Sequence, residues 1–231
     1  MSLSSIAQSP IFGISLTVLA YVFSFGINRF IQWIHPLFIC SGLIIVVLLA
    51  GGVSYSDYHA GGSLIEFFLG PATVALGVPL YKNAQKFKDK MAPLLAGIFA
   101  GSVMGIASSS ALVWLLGGSR EIMVTMMPKS VTTPISVEII RNMGGIPELG
   151  SVLTVLTGLL GSMIGPEVLR LFGMRDDFSV GIAMGTSSHG IGTGRLIRES
   201  DLLGSISVFS MCMAGMITSV LVIPISWFVY P

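Results

Sequence analysis

The sequence predicts an all-α polytopic membrane protein with about eight membrane segments, and three observations carry that prediction. Only 10% of the 231 residues are charged, whereas an average soluble domain has about 25%; 53% are hydrophobic, and the mean hydropathy is +0.88. Apolar stretches of bilayer-crossing length, about 20 residues, recur too often to form one buried core. Three of the segments are interrupted by Pro- and Gly-rich stretches at equal spacing. Residues 1–231 therefore read as a single integral membrane domain.

Taken in order, the apolar stretches fall at 11–27, 36–53, 63–81, 91–117, 149–166 and 203–230. Two further stretches, at 121–140 and 178–194, are apolar but interrupted by polar residues. The start, "MSLSSIAQSPIFGISL", has no basic residue before its apolar run, so no cleavable signal is expected. Cys40 and Cys212 both lie in apolar runs and read as buried packing residues. The net charge of +1 offers nothing to nucleic acid. His35 and His59 fall near segment ends and read as interfacial.

Lys and Arg concentrate in cytoplasmic loops. The basic loop "YKNAQKFKDK", with Lys82, Lys86, Lys88 and Lys90, is therefore expected in the cytoplasm. If all eight segments cross, Arg29, Arg141, Arg195 and Arg198 join it, and Arg120, Arg170 and Arg175 lie opposite. Both termini are then outside. Re-entry of either interrupted segment would change this arrangement.

The interruptions read "GPATVALGVP" (70–79), "MPKSVTTPIS" (127–136) and "MGTSSHGIGT" (184–193), and Pro71, Pro128 and Gly185 are 57 residues apart in each step. "GIFAGSVMG" (97–105) matches "GLLGSMIG" (158–165) with one gap. Internal repeats and broken helices of this kind make the pattern secondary-transporter-like. Breaks are expected at Pro71 and Pro79, at Pro128 and Pro134, and at Gly185 and Gly192, because Pro removes an N–H and clashes with the preceding turn. Thr133 then reads as an N-cap with Pro134 at the first helical position, opening a half-helix "PISVEIIRN". Irregular backbone at membrane depth survives only inside protein or beside a watery cavity. A half-helix N-terminus there suits an anion.

Lys129 lies within such a break. A lysine at bilayer depth costs about 2.5–3.5 kcal/mol on insertion scales, so it signals function. Glu138 is nine residues on, about 13 Å along a helix, and would not pair with it. The counter-charge must come from Glu66, Glu167 or a bound anion, and the anion is preferred. His189 sits among glycines and hydroxyl residues and can carry a proton or donate to a carboxylate. No Walker lysine, HExxH, CxxC or paired nucleophile and base is present, so neither an enzyme nor a cofactor or metal is expected.

"PKSVTTPISVEI", "GGIP" and "GTSSHGIGT" resemble, in order and spacing, the most recognisable stretches of the LrgB/CidB family of bacterial membrane proteins. The resemblance covers nearly the whole chain, with Gly194 standing where family members often have Ala. It implies residence in the bacterial cytoplasmic (inner) membrane and a part in modulating murein hydrolase activity and autolysis. A small holin-like LrgA/CidA-type subunit is the partner it implies, and a homodimer is compatible with it. A plastid relative translocates glycolate and glycerate, and some bacterial relatives are linked to pyruvate uptake. Two functions follow as expectations: secondary transport of a small monocarboxylate, or holin/antiholin-like control of lysis. For transport, the donors expected where the 127–136 and 184–195 breaks meet are Lys129, Ser130, Thr132, Thr133, Ser187 and Ser188, with Pro134, His189, Gly190 and Thr193 beside them. Glu66, Glu138 and His189 are the expected proton carriers if transport is ion-coupled, although freed carbonyls could hold Na⁺.

Overall fold

The computed structural model describes residues 9–31, 34–68, 71, 74–75, 78, 81–82 and 84–229, and every regular element among them is helical. The chain divides into two compact units, Met1–Leu76 and Gly77–Pro231. Among the described residues, four stretches are long and apolar enough to cross a membrane: Pro10–Asn28, Lys88–Leu115, Pro147–Leu171 and Asp201–Ile225. The protein is a polytopic, all-α membrane protein.

The N-terminal unit contains α1 (Pro10–Asn28), α2 (Pro36–Gly51) and α3 (Tyr55–Phe67). Proline opens both α1 and α2, where its missing N–H costs nothing. His35 caps α2 by accepting the Leu37 amide at 3.2 Å, and Ser54 caps α3 by accepting the Asp57 amide at 3.2 Å. Gly52, at φ 60°, ends α2 in the left-handed conformation that glycine adopts freely. α1 and α3 meet at Gly13 and Gly61, where a Cβ on either would run into the other helix's backbone. The core is Ala20, Cys40 and Ile44, flanked by Leu16 and Tyr58. Two expectations change. α2 has 16 residues, about 24 Å, shorter than an average hydrocarbon core. The helix expected at 63–81 starts eight residues earlier, because Ser54 supplies a cap that the apolar pattern does not register. Of the first expected interruption, Pro71 is helical and exposed, while Pro79 lies outside the described residues.

In the C-terminal unit a 3-10 helix (Ala84–Lys90) leads into α4 (Met91–Leu115). There follow α5 (Arg120–Met126), α6 (Thr133–Asn142), α7 (Pro147–Leu171), α8 (Asp177–Glu199) and α9 (Asp201–Val229). α4, α7 and α9 are the crossing helices.

The two interrupted segments do not cross. α5 and α6 form one helical hairpin around a turn at 127–132. Its arms return to one level: Thr125 Oγ1 on α5 accepts the Ile146 amide just beyond α6, and a Cβ on Gly150 of α7 would overlap Ile140 of α6. At 7 and 10 residues each arm is too short to span. α8 is a second hairpin, folded at His189, whose φ of 38° and ψ of −135° reverse the chain. Both arms lie against the same residue of α9: Gly185 abuts the Ser207 carbonyl, and Thr193 shares a 2.8 Å hydrogen bond with the Ser207 hydroxyl. Met184, Leu196 and Leu203 form one core cluster, which a straight α8 would pull about 18 Å apart.

The hairpins enter from opposite ends. The first joins the end of α4 to the start of α7, and the second joins the end of α7 to the start of α9. α4 with the first hairpin and α7 with the second are thus two copies of one motif in opposite orientation. Gly97 to Gly158 and Pro128 to His189 are both 61 residues apart, which replaces the 57-residue step. The expected breaks at Gly185 and Gly192 fall instead at His189. Gly185 is needed for contact with α9, and Gly192 for contact with Ser188. α6 also starts one residue earlier than expected: extended Thr132 is its N-cap, Ser136 N–H bonds the Thr132 carbonyl at 2.9 Å, and Pro134 is the second helical residue. Cys212 is exposed on α9 rather than buried.

α7 contains Pro166, which removes the N–H that would bond the Ser162 carbonyl. Arg195 of α8 fills the gap, donating to the carbonyls of Ser162 and Met163, with Glu167 at 3.5 Å and Glu199 at 3.2 Å. Arg195→Gln is expected to destabilise the protein by about 1–3 kcal/mol. In a Pro166→Ala background the helix bonds its own carbonyl, so the same change should cost about 1 kcal/mol less. Thermal unfolding in detergent across the four-variant cycle reads that coupling.

Candidate functional site

Glycines line the sides of α4 and α7 that face the second hairpin. On α4, a Cβ at Gly97 would lie 3.3 Å from Ile182, and one at Gly101 would lie 3.1 Å from Thr186 Oγ1. One turn on, Gly105 faces Ser130 at the tip of the first hairpin, 3.6 Å from its hydroxyl. On α7, Gly158, Gly161 and Gly165 face His189, Ser188 and Met184. The matched motifs noted in the sequence are therefore two seats for hairpins. Because Gly101 and Gly105 are one turn apart, the two hairpin tips arrive at nearly the same depth, about 6 Å apart along α4.

Between α4, the first arm of α8 and the 127–132 turn lies a cleft of about 750 Å³. Lys129, Ser130, Ser108, Thr186 and Ser187 surround its inner end, and Lys90 and Phe178 its mouth. Among the described residues that line it there is no carboxylate. Lys129 is half-buried, and its Nζ donates to Ser130 Oγ at 3.2 Å. None of the ion pairs among the described residues includes it. Asp176 caps α8 outside the membrane segments, accepting the Ser179 amide at 2.9 Å, and these hydrogen bonds hold its carboxyl below the usual range.

Of the expected binding residues, Lys129, Ser130 and Ser187 line the cleft. Thr132 and Thr133 lie beyond the tip toward α6 and do not line it. Pro134 borders a second cavity of about 640 Å³, between α6 and α9. Ser188 and Thr193 are buried in packing contacts, and Gly190 is exposed outside the cleft. None of the expected proton carriers lines the cleft. Glu138 pairs with Arg141 at 3.1 Å on the exposed face of α6 and borders the second cavity, and Glu66 is exposed on α3 of the other unit. Glu167 pairs with Arg170 and Arg195.

His189 has a structural position instead. Its Nε2–H donates to the Thr154 carbonyl at 2.8 Å, and the Thr154 hydroxyl donates to Ser136 of α6 at 2.9 Å. All three residues are buried. This chain of bonds ties the second hairpin's tip, through α7, to the returning arm of the first. A non-glycine residue at φ 38° is strained. His189→Gly and His189→Ala both lose the bond to Thr154, but only Ala keeps the strain. The Gly variant should be the more stable of the two by about 1 kcal/mol, read by thermal unfolding.

Sequence reasoning missed Lys90, Phe178 and Thr186. Thr186 stood in the "GTSSHG" motif beside the residues chosen, and Lys90 had been read only as a loop charge.

These features define a class: a polytopic helical membrane protein with two opposed re-entrant hairpins and a cation-ended cleft where they meet. The chain belongs to the LrgB-like family, whose model matches residues 17–228. It is 32% identical over 221 residues to the antiholin-like protein LrgB of Bacillus subtilis (strain 168), covering 94% of this chain and 95% of that one. It is 31% identical over 211 residues to the holin-like protein CidB of Staphylococcus aureus (strain Mu50 / ATCC 700699), covering 90% and 92%. YwbG of Bacillus subtilis (strain 168) is 34% identical over 208 residues, covering 88% and 91%. No solved structure matches the chain.

Proposed function

We propose that the protein is a multi-pass carrier of the bacterial cytoplasmic membrane that binds a small monocarboxylate at Lys129. One observation carries this reading: the cleft ends at an ammonium group with a hydroxyl partner and has no carboxylate in its lining. A monocarboxylate of the glycolate, glycerate, lactate or pyruvate type matches that charge. Its second oxygen can hydrogen-bond the hydroxyls of Ser130 and Ser187.

Orientation follows from the same topology. Lys82, Lys86, Lys88, Lys90, Arg170, Arg175, Arg195 and Arg198 fall at one end of the C-terminal unit, and only Arg120 and Arg141 at the other. That asymmetry supports a cleft mouth that faces the cytoplasm. Nothing in the reading calls for catalysis. A small LrgA-like subunit or a second copy of the chain would assemble around this core.

The test is a thermal-shift series of the purified protein with pyruvate, lactate, glycolate and glycerate. A ligand selective for the folded state raises its stability with concentration. No response to any acid at millimolar concentration sinks the carrier reading.

The second reading is holin- or antiholin-like control of membrane permeability and lysis. The names of the relatives support it more directly than they support transport. Size-graded, non-saturable leakage of dyes from proteoliposomes would favour it.

A further inference from the structure

The cleft has a second cation. Lys90 stands at its mouth with Nζ 4.3 Å from the centre of the Phe178 ring, whose face holds the ammonium in place. Ser130, next to Lys129, faces Gly105, fifteen residues beyond Lys90, so the two lysines leave the backbone at levels about 22 Å apart along the helix axis. No small acid bridges that distance, so the lysines are two stations rather than one site. Both lysines line the same cleft, in which Thr186 and Ser187 supply polar atoms near its inner end. Asp89 and Asp177 adjoin Lys90 and Phe178 in sequence but do not line the cleft.

We propose that Lys90, positioned by Phe178, is an entry station that captures the carboxylate at the cleft mouth and delivers it along the cleft to Lys129. The inference rests on the carboxylate reading above. A mouth charge acts on encounter, whose rate is steered by electrostatics and falls with ionic strength. An inner charge acts on the bound state. The two lysines should therefore fail differently.

The test is initial-rate uptake of labelled glycolate, lactate and pyruvate by the full chain in proteoliposomes, at salt concentrations from about 20 to 300 mM. Lys90→Gln is expected to lower kcat/KM about tenfold at low salt, leave kcat unchanged, and flatten the salt dependence. Lys90→Arg should restore all three, and Phe178→Leu should give a smaller loss of the same kind. Lys90→Gln kinetics within twofold of wild type at every salt concentration overturn the inference while the carboxylate reading stands. A wild type with no saturable uptake of any of the acids overturns both. The series is repeated in phosphatidylcholine vesicles with and without phosphatidylglycerol. A Lys90 effect confined to the anionic vesicles makes the lysine a lipid headgroup contact and overturns the entry station; an equal effect in both supports it.

Discussion

Lys129→Met is expected to weaken acid-dependent stabilisation and saturable uptake about 10- to 150-fold while leaving the unliganded protein as stable as the wild type or more so. The two effects have opposite signs because the ammonium has opposite roles in them. In the empty protein it is a half-buried charge with one hydroxyl partner and no ion pair. Methionine nearly matches its shape and removes a burial cost of about 2.5–3.5 kcal/mol on insertion scales. In the liganded protein the ammonium is, among the described residues, the one positive group at the inner end of the cleft. A hydrogen bond to a charged group contributes about 1.5–3 kcal/mol, so binding should weaken about 10- to 150-fold. Acid-titrated thermal shifts of the two proteins measure both effects at once. A Lys129→Met protein that responds to the acids at the same concentrations as the wild type means that the site lies elsewhere. One that is strongly destabilised without ligand means that the lysine is structural.

Gly158→Val is expected to cost about 3–5 kcal/mol or cause outright loss of folded protein. A Cβ at 158 would lie 2.5 Å from both Cε1 and Nε2 of His189. The imidazole cannot move aside without leaving the Thr154 carbonyl, and a buried acceptor left unpaired costs about 1–3 kcal/mol before any packing loss. The added methyl groups force further displacement in a close-packed interior. Gly194→Ala is the control, because nothing lies within 4 Å of that position. It should leave stability unchanged or raise it slightly, as alanine favours helix over glycine. Monodispersity and melting temperature in detergent compare the three proteins. A Gly158→Val protein that melts like the control would remove His189 from the position argued for it.

Composition was enough to identify an all-α membrane protein, because a bilayer accepts few other architectures for a chain so poor in charge. Pro128 and Pro134 marked the first hairpin's tip for a local reason: each lacks an N–H and constrains the residue before it. The direction of the chain after such a break is not local. It is set by where Gly97, Gly101, Gly158 and Gly161 allow a partner to approach, and a one-dimensional reading cannot pair them. That is why two hairpins looked like two crossings. Gly185 and Gly192 suggested a flexible break, yet both serve close contacts, while the backbone reverses at a histidine that no turn rule selects. Lys129 was legible as a buried charge in a place where charge is expensive. Lys90 was not, because a lysine in a basic loop looks ordinary until Phe178 is brought beneath it from 88 residues away.

The second hairpin's seat also constrains how the chain can be made. Each arm of α8 is about 15–18 Å long, and the sequence between Gly185 and Arg195 is too polar to rest in lipid by itself. α9, which supplies the Ser207 contact for both arms, leaves the ribosome after the hairpin. Until it does, the hairpin has walls on only two sides, from α4 and α7. The contacts that seat both arms on Ser207 can therefore form only after α9 has followed the hairpin out of the ribosome.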